Sequence, residues 1–223
     1  MFTAERVAYI FALIVALVGV IGSHIDVTWY EGTFAREDGF VEWLTVIGLL
    51  TGSFLCFYRI SILRPFRGKL FLFCTFILGC LFFFGAGEEI SWGQRIFNIQ
   101  SSDFFLTHNS QGETNLHNLI VGGTKINKLI FGTILGILIG FYFLILPFLY
   151  RKVEKVKAIV DSMAMPLPKY FHIIAYLVLV ALTEFIQGGK KGEVLEFGGV
   201  WIFVLMTFVP FNREIFSRKT FDR

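Results

Sequence analysis

Residues 70–95 read LFLFCTFILGCLFFFGAGEEISWGQR. From Leu70 to Gly87 no side chain carries a formal charge; Glu88, Glu89 and Arg95 then arrive in close succession. Coiled as a helix rising about 1.5 Å per residue, such a run crosses most of a hydrocarbon core about 30 Å thick. It lacks the apolar/polar alternation of a barrel strand. Backbone groups in lipid must be paired within their own segment, so the run reads as a membrane-crossing α-helix. The polar block begins where that helix would leave the lipid.

Comparable runs occur at Val7–Gly22, Phe40–Phe57, Leu129–Tyr150, Tyr170–Ile186 and Leu195–Pro210. Together they predict an all-α, polytopic membrane protein, a bundle of about six transmembrane helices. Residues 1–223 read as one transmembrane domain. Composition agrees: 17% of residues are charged and the mean hydropathy is +0.68, where soluble chains carry about 25% charge. Arg6 precedes the first run, but no small-x-small cleavage pattern follows it, so that run is expected to be a span rather than a cleaved leader.

Basic residues set the expected orientation. Arg6, then Arg59, Arg64, Arg67 and Lys69, then Arg151, Lys152, Lys155, Lys157 and Lys169, then Arg213, Arg218, Lys219 and Arg223 all fall on one side of the alternating spans. These are most of the chain's 20 Lys and Arg. The positive-inside rule places both termini in the cytoplasm, N-in and C-in, as expected of a multi-pass protein of a bacterial inner membrane. The net charge is only +3, and no Lys/Arg-rich run interleaves with aromatics, so nucleic acid is not an expected partner. Cys56, Cys74 and Cys80 lie in apolar runs without metal-ligand spacing and read as small buried residues.

The outward loops are richer in polar side chains than solubility requires. The first holds His24, Asp26, Arg36, Glu37 and Asp38. Asp38, Glu42 and Thr45 share a helical face that enters the membrane. The segment at about 88–125 is the densest, and long ordered loops of this kind are often functional. Its first block carries Glu88, Glu89, Ser91, Trp92, Gln94 and Arg95; if helical, Glu88, Ser91 or Trp92, and Arg95 would lie on one face. Its second block carries His108, Glu113, Asn115 and His117, with Glu113 and His117 one helical turn apart. The last loop adds Glu184 at the end of the fifth run. A carboxylate at such depth is paired, neutralised or wetted, and is a candidate for function by default.

Three chemistries fit these residues. In the first, Glu88 or Glu89 is a general acid/base, His117 a base or ligand, and Arg95 an anion clamp. In the second, His108, His117, Glu89 and Glu113 hold a divalent metal as cofactor, although their spacing matches no zinc signature. In the third, Arg95 neutralises Glu42, Glu88 or Glu184 in an ion-pair network that fixes helix ends. Ser91 lacks the G-x-S-x-G setting of an activated nucleophile, and serine at a helix end more often caps or packs.

The leading expectation is a hydrolase or transferase acting on a lipid or lipid-linked substrate at the outer membrane face, with membrane lipids as surroundings. A proton- or cation-coupled transporter or channel component using Glu42, Glu88 and Glu184 is the first alternative. That path would need polar residues to continue inward, whereas the fourth and sixth runs are almost wholly apolar. A small assembly or sensor subunit, docking a partner through its outer loop, is the second.

Overall fold

The computed structural model describes residues 3–116, 118–121, 124–125 and 134–218. Four helices are long and apolar enough to cross a membrane: α1 (Thr3–Ile25), α2 (Phe40–Leu63), α3 (Lys69–Glu89) and α4 (Leu135–Lys152). A surface helix, α5 (Glu154–Ser162), follows α4. The last two long elements are α6 (Tyr170–Thr183) and α7 (Lys191–Phe208).

The apolar runs become helices as expected, with shifted ends. α2 continues beyond Phe57 to Leu63, and α7 starts at Lys191 rather than Leu195. The fourth run was expected from Leu129; its first residues lie outside the described ones, as do Lys219 and Arg223 of the basic tail. α6 has 14 residues, about 21 Å of helix, shorter than a hydrocarbon core. α7 carries Lys191, Glu193 and Glu196 near its start. Within α4 the helix widens into a π-turn over Phe141–Ile145, just ahead of Pro147. Proline has no N–H to donate and its ring crowds the carbonyl four residues back, and the widened turn accommodates both effects.

α7 is the inner helix of the bundle. It packs against α2, α6 and α1, and α2 also packs along α3. Small residues permit the close approaches. A Cβ on Gly198 would lie 2.5 Å from Leu179, and one on Gly52 would lie 2.9 Å from the Phe82 ring. Two polar contacts tie α2 to its neighbours α3 and α7. Ser53 Oγ donates to the Gly79 carbonyl at 2.9 Å, and Trp201 Nε1 donates to the Leu44 carbonyl at 3.0 Å. Small residues and interhelical hydrogen bonds take the place of a hydrophobic drive that lipid does not supply. The outward faces of α1 to α4 expose Ile10, Phe54, Phe73, Leu81, Ile137 and Phe148. Such a belt is a liability in water and the normal surface of a helix in lipid.

One end of the bundle is basic. There Arg59 Nη2 donates to the Phe208 carbonyl at 2.8 Å, joining the ends of α2 and α7. Asn212 accepts from Leu167 N–H at 3.0 Å and donates to Met165 O at 2.9 Å, which fixes the proline-containing turn before α6. His172 and Glu5, both buried, approach to 4.0 Å between α6 and α1. The opposite end collects the start of α2, the end of α3 and the start of α7, and it holds the polar loop.

Candidate functional site

α3 stops at Glu89 because the backbone reverses its twist. Ser91, Trp92 and Gly93 have φ of 47°, 54° and 76°. The left-handed region costs a non-glycine residue free energy, and it persists only where surroundings hold it. Here Ser91 Oγ donates to Glu113 at 2.6 Å and accepts from Asn115 Nδ2 at 2.8 Å. Trp92 Nε1 donates to Glu88 Oε1 at 2.9 Å. The expected helical face through Glu88, Ser91 or Trp92, and Arg95 therefore does not form: a short turn at Gln94–Phe97 follows the left-handed one. Residues 109–116 coil into a side-chain-bonded loop, and the expected Glu113–His117 turn ends on a residue outside the described ones.

Asn109 organises that loop. Its Oδ1 accepts from the N–H groups of Gln111 and Glu113, an Asx-type turn, and its Nδ2 donates to Asn115 O and Oδ1, each at 2.9 Å. Gln94 pins the loop to the turn after α3, accepting from Thr114 N–H at 2.7 Å and donating to Ser101 Oγ at 2.7 Å. Glu88 Oε2 accepts from Leu116 N–H at 2.6 Å. A two-residue antiparallel ladder, Ile120–Val121 with Thr124–Lys125, follows.

Arg95 sits among three acids. Its Nε lies 2.6 Å from Asp38 Oδ2, an ion contact without hydrogen-bond geometry. Its Nη2 lies 3.4 Å from Glu42 Oε1, and its Nη1 donates to Glu113 Oε1. Burial works against the cation, but the hydrogen bond and charge of Glu113, with Asp38 and Glu42, outweigh it and hold the guanidinium above its ordinary value. Glu42 also accepts from Asp38 N–H at 2.7 Å, which ties α2 to the turn just before it. The expectation that Arg95 neutralises Glu42 matches this geometry; its other partners are Asp38 and Glu113 rather than Glu88 or Glu184.

Around this network lies a cavity of about 170 Å³ lined by Glu37, Glu42, Glu88, Glu89, Arg95, Gln111, Glu113, Asn115, Asn118, Glu193 and Glu196. Glu89 is within electrostatic reach of Glu196, Glu42, Glu193 and Glu88. Seven carboxylates face one guanidinium here, and that guanidinium is already matched. Carboxylates so crowded share protons or hold a cation, and they repel an anion.

The structure divides the expected site residues. Glu42, Glu88, Glu89, Arg95, Glu113 and Asn115 line the cavity, and Asp38 and Gln94 support it. His108 does not join them; it is exposed, stacks on Phe104 and bonds the Phe104 carbonyl through Nδ1. His24 bonds the Val20 carbonyl and approaches Gln187. Glu184 is exposed and paired with Lys191 at 2.7 Å. His117 lies outside the described residues. Among the described residues, no three His, Cys, Asp or Glu side chains form a group able to hold a metal ion.

Glu193 and Glu196 were absent from the expected site. Their signal is present in the sequence, two acids three residues apart on one helical face, the second within an otherwise apolar run. Glu37, Gln111 and Asn118 have no comparable signal. They meet through the loop path, Gln111 Nε2 donating to Glu37 and Asn118 Nδ2 donating to Gln111, each at 2.7 Å. No family model, curated protein or solved structure matches the chain. Fold and site together define a helical membrane protein with an acidic chamber at one end of its bundle.

Proposed function

We propose that this chain is a membrane-embedded hydrolase or group transferase that works on a lipid or lipid-linked substrate. In this reading α6 and α7 complete a six-span bundle, N-in and C-in, in a bacterial inner membrane, and the chamber opens at the outer leaflet. The observation that carries the reading is the chamber itself, seven glutamates and three amides enclosing about 170 Å³ at the end of an apolar bundle.

Roles follow from who is already bonded. Glu88 and Glu113 spend their lone pairs on the loop and on Arg95, so they shape the chamber. In this reading Arg95 balances charge rather than clamping an anion, since Asp38, Glu42 and Glu113 already hold it. Glu89 faces its fellow carboxylates and is the proton-transfer group of the proposal. The substrate end that enters carries hydroxyls or an amine, because a phosphate would meet net negative charge.

The test uses full-length protein in lipid nanodiscs, incubated with polar lipid extract and with polyprenyl-linked saccharides, products being read by mass spectrometry. Turnover that is lost in Glu89→Gln while the melting temperature holds supports the proposal. Turnover unaffected by Glu89→Gln, or no turnover of either substrate set, overturns it.

A second reading, proton- or cation-coupled transport, is favoured by one further observation. Buried ionisable groups occupy both ends of the bundle, with Glu5 and His172 opposite the chamber. Proton flux in liposomes that Glu89→Gln abolishes, without any substrate turnover, would select it.

A further inference from the structure

The segment after α3 has two faces. Gln94 and Arg95 turn toward the chamber, while the next residues turn away from it. Ile96 is 57% exposed, Phe97 72%, Ile99 58%, Phe104 54% and Leu106 49%. So much large apolar surface in one short stretch marks an interaction surface. It is joined to the lipid-facing side of α3. The Trp92 ring lies edge-on to Phe84 at 5.4 Å and to Phe83 at 6.5 Å, and both phenylalanines belong to the exposed face of a helix fit to cross a membrane. Trp92 suits the junction, with an apolar ring against that face and a ring N–H donating to Glu88.

We propose that the segment from Trp92 to Leu106 is an interfacial foot, seated in the leaflet on the chamber side with Ile96, Phe97, Ile99, Phe104 and Leu106 among the lipid chains. Bilayer lipid is the occupant because the patch continues a surface that lipid already covers, and the joint between them is itself aromatic. The polar residues of the same stretch, Asn98, Ser102 and Asp103, are exposed and reach headgroups or water. The foot fixes the depth of the chamber wall, since Gln94 and Arg95 are one turn from its inserted residues. This seating holds whatever chemistry the chamber performs.

Spin labels read the depth directly. Phe97→Cys, Phe104→Cys and Leu106→Cys are labelled singly in full-length protein in phosphatidylethanolamine/phosphatidylglycerol nanodiscs, the native cysteines being replaced by alanine. Ser110→Cys serves as the aqueous reference and Phe73→Cys as the lipid reference. Insertion predicts an oxygen-to-nickel-chelate collision ratio several-fold above that of Ser110 and close to that of Phe73. A ratio like that of Ser110 overturns the proposal in favour of a wetted loop. Shielding from both quenchers overturns it in favour of a protein partner or a second copy. Should the cysteine-free background misfold, photoactivatable lipids on the unaltered protein decide the same question: cross-links within 96–106 support the foot, and cross-links confined to the helices overturn it.

Discussion

Ser91 Oγ donates a 2.6 Å hydrogen bond to Glu113, joining the end of α3 to a loop 22 residues further along the chain. Ser91 has no exposed surface, and its hydroxyl also accepts from Asn115. Its role is to hold a left-handed turn in place. Ser91→Ala leaves Glu113 and Asn115 short of a partner, at a cost of about 1–3 kcal/mol. Thermal melts in detergent and faster proteolysis near residue 113 check this. A nucleophilic Ser91 would behave oppositely, losing turnover with the melt unchanged.

Arg95 counters Asp38, Glu42 and Glu113 at once. Arg95→Ala leaves the buried Glu42 uncompensated, and destabilisation of about 2–3 kcal/mol follows, below the range for a fully buried pair because the guanidinium is partly exposed. Arg95→Lys is expected to restore only part of the loss, since one ammonium cannot span three acids as a guanidinium fork does. Pairing Arg95→Ala with Glu113→Gln should cost less than the sum of the single changes, and a double-mutant cycle of melting temperatures reads the difference.

Gly87 leaves room for Trp92. A Cβ there would lie 2.8 Å from the indole ring. Gly87→Ala must push the ring away from Glu88, destabilising the fold by about 1–3 kcal/mol. Weakened binding at the chamber and a shift in tryptophan emission should accompany the loss. An unchanged spectrum and melt would contradict the contact.

Tyr30 donates to the Lys190 carbonyl at 3.0 Å, tying the loop after α1 to the start of α7. Burial, followed by the charges of Glu193 and Glu31, pushes its phenol up to about 12. An unfolded tyrosine ionises near pH 10. Between about pH 10 and pH 12 the folded chain keeps a proton that the unfolded chain has lost, so stability falls as pH rises through that window. The melting temperature of the unaltered chain should therefore drop more steeply there than that of Tyr30→Phe. Parallel curves would refute the assignment.

The helices were legible because their signal is local. Leu70–Gly87 is apolar on every side, and lipid demands internal pairing of its backbone whatever its neighbours are. Proline and charge were harder to place: α5 was hidden in a basic loop, and Lys191 and Glu193 belong to α7 although the run was expected to start after them, at Leu195. Within the site, Glu42, Glu88, Glu89 and Arg95 stood out as charges at helix ends beside long apolar runs. The missed helical face through Ser91 has a definite cause, a left-handed turn stabilised by Glu113 and Asn115, which a sequence pattern between residues 88 and 95 does not contain.

Hydropathy alone was therefore sufficient for the helical class, the approximate course of its long apolar helices and the concentration of acids near one set of helix ends, because each depends on residues adjacent in the chain. Which acids share a chamber was decided by tertiary structure. Glu193 and Glu196 meet Glu89 only because glycines let α7 pack closely against α2 and α6, and α3 packs along α2 in turn. Glu113 meets Arg95 because the 109–116 loop is tied by side-chain hydrogen bonds to residues far back in the sequence, whereas His108 turns away on a local bond to the Phe104 carbonyl. Rotation about a helix axis and the course of a bonded loop are long-range quantities, and no local period encodes them.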